Sequence, residues 1–100
     1  MGQTATFLII FEVEERYATA FSASVKSLGD WAILTPTTIM VRTKKSSESV
    51  MEQLQSLIGP GDSLWLITPS APWSGYGDPI ACDHVEAALG PESGNWVPKD

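Results

Sequence analysis

The run from Thr6 to Val13 is apolar at nearly every position and rich in β-branched and aromatic side chains, which predicts a strand. Period two puts Phe7, Ile9, Phe11 and Val13 on one face and Leu8, Ile10 and Glu12 on the other. Two apolar faces predict a central strand covered on both sides, by helices on one and a partner on the other. The period then lengthens. Tyr17, Phe21, Val25 and Leu28 recur at helical spacing, which predicts a helix over 16–28, with Gly29 placed as a left-handed cap. Trp31 to Leu34, the turn Thr35-Pro36-Thr37 and Thr38 to Thr43 read as a hairpin. Ser46 or Ser47 suits the N-cap of a second helix, with Glu48 in its first turn. Its stripe is Val50, Met51, Leu54, Leu57 and Ile58, and Gly59-Pro60-Gly61 stops it. Ser63 to Thr68 reads as a fourth strand, with Leu64 and Leu66 opposite Trp65 and Ile67.

The order β-α-β-β-α-β is the split βαβ arrangement. It predicts an α+β, ferredoxin-like domain: a four-stranded antiparallel sheet with two helices on one face. Beyond Thr68 the pattern changes. Residues 69–77 are too rich in Pro and Gly for regular structure and read as a loop. Asp78-Pro79 supplies an N-cap and first residue for a short C-terminal helix, ended by Gly90-Pro91. The expected organisation is one domain over residues 1–90 and a loose tail over 91–100, unless Trp96 docks it.

One hundred residues suffice for one modest core, and 43% apolar with 18% charged residues is a globular composition. No apolar run approaches the roughly 20 residues of a membrane span, and no basic residue leads the first apolar run as in a secretory signal. The single Cys82 has no partner for an internal disulfide, which fits a reducing compartment. Cytoplasmic location is the expectation.

Charge is unevenly distributed. Residues 1–45 carry four acids (Glu12, Glu14, Glu15, Asp30) against five bases (Arg16, Lys26, Arg42, Lys44, Lys45), a net of +1. Residues 46–100 carry eight acids against Lys99 alone, a net of −7. Such a surface repels a phosphate backbone. It is either a plain solvated acidic surface or one that binds something basic.

A resemblance adds to this reading. Thr6-Phe7-Leu8-Ile9 with Phe11-Glu12-Val13, Lys26-Ser27-Leu28-Gly29-Asp30-Trp31 and the Thr37 to Thr43 strand resemble the SinR-like family of small bacterial and phage proteins. So do Leu54 to Ile58, Asp62-Ser63-Leu64-Trp65-Leu66-Ile67 and Trp73-Ser74-Gly75-Tyr76-Gly77. That family is related to the ferredoxin-like metal-dependent nuclease of CRISPR spacer acquisition. The resemblance implies a ferredoxin-like homodimer formed through the open sheet face or edge strands. It also implies Glu12 as the position of a divalent-metal ligand, since Phe11-Glu12 stands where the family has Tyr-Asp. Glutamate ligates Mg²⁺, but its extra methylene displaces the carboxylate from the place an octahedral ion wants.

Other chemistry is sparse. Glu12, Glu14 and Glu15 lie beside no histidine that would support a metal or activate water, and read equally as a solvated strand end. Cys82, Asp83 and His84 are consecutive on a helix, about 100° apart, and cannot converge on one zinc; His84 reads as a helix-surface residue. The serines have no positioned base, and no phosphate-binding loop is present. Arg42, Lys44 and Lys45 form a basic cluster too small for a nucleic-acid footprint. Trp65 reads as core, and Trp73, Tyr76 and Trp96 as either clamps for the third helix or an exposed aromatic patch.

The expected function is therefore non-enzymatic: an acidic interaction protein that inhibits or regulates a nucleic-acid-binding machine, as a phage anti-CRISPR nucleic-acid mimic would. Asp78, Asp83, Glu86, Glu92, Trp73 and Tyr76 are the expected partner-binding residues. The expected partners are a protein with a basic surface and a second copy of the chain, with no direct nucleic-acid or membrane contact and no cofactor. The alternatives are a Mg²⁺-dependent endonuclease using Glu12, or a toxin–antitoxin component.

Overall fold

The computed structural model describes residues 4–70, 72–90 and 94–98. The elements in chain order are β1 (Ala5–Glu12), α1 (Glu15–Lys26), β2 (Gly29–Thr35), β3 (Thr38–Thr43), α2 (Ser47–Gln55) and β4 (Ser63–Ile67). Three more follow: β5 (Trp73–Gly77), α3 (Pro79–Leu89) and β6 (Gly94–Pro98). The first four strands form one antiparallel sheet in the order β2-β3-β1-β4, the ferredoxin-like arrangement. β1 is central, as its two apolar faces require.

The main core lies between the sheet and α1 and α2. Phe7, Ile9, Ile39 and Val41 meet Phe21, Val25 and Leu28 from the first helix and Val50 and Leu54 from the second. Phe11 leans on Phe21, ring centroids 4.8 Å apart and tilted by 47°. Local signals agree with this packing. Glu15 and Lys26 sit at the ends of α1 that suit their charges. The Ser46 hydroxyl caps α2 by accepting from the Ser49 amide at 3.1 Å. Gln53 ties the helices together, donating to Ser24 Oγ at 2.8 Å and accepting from Lys45 Nζ at 2.7 Å.

Gly29 departs from its expected role. It opens β2 opposite Thr43, and a Cβ on it would lie 2.0 Å from the Arg42 carbonyl oxygen. Glycine is needed there for close approach of two strands, not for a left-handed cap. Among the described residues only Gly90, after α3, has a positive φ, at 94°.

The carboxyl-terminal third also differs from expectation. Trp73–Gly77, expected as loop, is a strand, and Gly94–Pro98, expected in a loose tail, pairs with it in parallel. With α3 between them they form a βαβ unit. Pairing supplies the backbone partners that local composition does not favour, so tertiary context overrides propensity. Gly94 permits it: a Cβ there would fall 2.5 Å from the Trp73 ring. The Trp96 side chain lies outside the described residues. α3 packs over β2, burying Ala81 and Cys82 together with Ala32 and Met40. No helix among the described residues is long and apolar enough to cross a membrane.

Candidate interaction surface

The second face of the sheet is only half covered, and the boundary follows from strand order. α3 lies toward β2, at one edge; β4 is at the other, with β1 beside it. In β4, Leu64 and Leu66 point to the α1–α2 core, so Trp65 and Ile67 must point the opposite way. Register then builds a patch. Ile10 pairs with Trp65, Leu8 with Ile67, and Glu12 with Ser63. Trp65 is 62% exposed and Ile67 45%. Trp65 is therefore a surface residue, contrary to its expected place in the core. The β1 and β4 patterns are apolar on both faces, and sequence does not say which face stays open.

Glu12 ends this patch as an exposed carboxylate. Its neighbours in sequence have other roles. Glu14 pairs with Arg16 at 3.2 Å, and the Glu14 amide donates to Asp62 Oδ1 at 3.0 Å. The second Asp62 oxygen accepts from the Gly59 amide at 2.8 Å, so this one side chain joins the loops before α1 and before β4. Among the described residues no three His, Cys, Asp or Glu side chains are grouped to hold a metal ion.

The residues expected to bind a partner take several places. Asp83 is exposed on α3, and Asp78 is exposed but also caps that helix, its Oδ1 accepting from the Ile80 amide at 2.8 Å. Glu86 is half-buried, and Glu92 lies outside the described residues. Tyr76 is 71% exposed. Trp73 is half-buried and works as a clamp, its indole N–H donating to the Gly90 carbonyl at 3.0 Å.

His84 is not the open helix-surface residue its sequence suggests. Both ring nitrogens are shielded from solvent, with no hydrogen-bond partner among the described residues. Burial lowers its pKa, and the Arg42 guanidinium lowers it further, against an opposing pull from Asp30. Cys82 is buried while Asp83 is exposed, so these three consecutive residues face different surroundings.

Comparison of the chain with protein-family models, with curated proteins and with solved structures finds no match.

Proposed function

We propose that this protein is a non-enzymatic acidic interaction module that regulates or inhibits its partner by docking through the open half of its sheet. The observation that carries the reading is Trp65, a large aromatic 62% exposed on a rigid strand beside exposed Ile67. Exposed aromatics in contiguous apolar patches mark interfaces, and tryptophan is enriched among residues that dominate binding energy. The surroundings select the partner. Glu12 borders the patch, and Asp78 and Asp83 are exposed elsewhere on a chain of net charge −6. An apolar centre bordered by the Glu12 carboxylate, on an acidic chain, suits a protein surface that is apolar at its middle and carries basic side chains. Proteins that handle nucleic acids present basic surfaces of this kind, so a nucleic-acid-binding machine is the proposed target.

A second copy of the chain is proposed to share the same face, since a two-fold contact across β1 and β4 would bury Trp65 from each protomer. The test combines light scattering with titration of a purified basic nucleic-acid-binding partner. Dimer or complex formation should be lost in Trp65→Thr. Complex formation, but not the dimer, should weaken with salt and in the Asp78→Asn/Asp83→Asn double variant. Retention of both assemblies in Trp65→Thr overturns the reading.

A further inference from the structure

Between the covered half of the same sheet face and the β5–α3 unit lies a cavity of about 350 Å³. We infer that it is a binding site for a small uncharged aromatic molecule, an activity separate from the partner docking proposed above. Its walls come from three parts of the fold: Leu8 and Met40 from the sheet, Val85 and Leu89 from α3, and Trp73 from β5. None of the described lining residues is charged, in a chain with 18 charged residues. An ionic ligand would lose hydration there with no opposite charge among the described lining residues to replace it. A flat aromatic ligand loses little and gains contact with the Trp73 ring.

The cavity is open for an identifiable reason. On β5, Trp73, Gly75 and Gly77 alternate with exposed Ser74 and Tyr76, so the inward positions after Trp73 are glycines. Glycine inside a strand contributes no packing and costs conformational entropy, and it commonly marks a place where a ligand approaches the backbone. Gly77 has no other structural cause. Its φ is not positive, and a Cβ added to it would meet no atom within 4 Å. Neither backbone conformation nor close packing demands glycine there, and the space beside it is open. An apolar cavity of roughly 150 Å³ already accepts benzene, so this volume accommodates a fused bicyclic ring.

Calorimetric titration with indole, and with indoleacetate as its charged counterpart, tests the inference on the whole chain. Indole should bind saturably at one site per chain, and indoleacetate about tenfold or more weakly. Gly77→Leu should weaken indole about tenfold or more while leaving the melting temperature unchanged or higher. Should Gly77→Leu fail to fold, Val85→Phe fills the same space from the helix side and is read the same way. Bound indole should also slow labelling of the buried Cys82 thiol by a maleimide, because Cys82 lines the cavity. The inference is overturned by any of three results: no saturable binding to the folded wild type, equal affinity in a folded cavity-filled variant, or equal affinity for indoleacetate. Loss of indole binding in Trp65→Thr would place the probe on the open sheet face and overturn it too.

Discussion

Replacing Trp65 by threonine separates what this residue does for folding from what it does at an interface. Threonine keeps the β-branched geometry that a strand prefers, so the change removes mainly indole area. With 62% of the residue exposed, roughly 150 Å² lies open and roughly 100 Å² is covered by the chain itself. At about 25 cal/mol per Å² the covered part contributes ~2 kcal/mol to folding, and full burial of the open part ~4 kcal/mol to association. Both are upper limits, since area arithmetic omits the cost of ordering partners. A domain of this size is stable by roughly 5–15 kcal/mol, so Trp65→Thr should stay folded with a melting temperature lower by about 5–15 °C. Association should fall far more, by about a hundredfold or beyond, and in a two-fold dimer the loss acts once for each protomer. Sedimentation equilibrium over a concentration series gives the association constant, and thermal unfolding followed by circular dichroism gives the folding term. An association constant unchanged within about threefold, in a variant that melts several degrees lower, would show that the indole serves only its own strand.

Three further outcomes follow from single contacts. Gly29→Ala and Gly29→Asn should destabilise alike, each by roughly 2–3 kcal/mol, because the obstruction is the Arg42 carbonyl; chemical denaturation in which Asn is tolerated and Ala is not would restore a left-handed role. Asp62→Ala should cost about 2 kcal/mol and Asp62→Asn about half, with faster amide exchange at Glu14 and Gly59, since one carboxylate serves both amides; unchanged exchange at either would sink the assignment. The lowered His84 pKa means that the unfolded chain takes up this proton more readily than the folded one. Stability should therefore be fullest above pH 6.5 and decline as pH falls through that value, and His84→Leu should flatten the decline; melting curves between about pH 5 and 7 read it, before the carboxylates titrate.

The first two-thirds of the fold was legible because its signals are local and consistent. Period two in β1, period 3.6 in α1 and α2, the Ser46 cap and the proline turn each point to the same element order. β5 and β6 were illegible for the opposite reason. Each is held by a strand from elsewhere in the chain, and the glycines that read as loop punctuation are sites of close approach or open space. His84 was misplaced because helical position alone does not say which surface α3 is laid against.

What the amino-acid order determined by itself is the periodicity, and with it the elements, the ferredoxin-like sequence of strands and helices, and the two-sided apolar character of β1 and β4. What only the tertiary structure decided is coverage. α3 lies over β2 at one edge of the sheet and away from β4 at the other, so one stretch of apolar sheet becomes core and an equally apolar neighbour becomes surface. Side-chain pattern is encoded residue by residue, whereas coverage depends on where a distant helix comes to rest. That placement leaves Trp65 exposed, encloses His84 and opens the cavity beside Gly77.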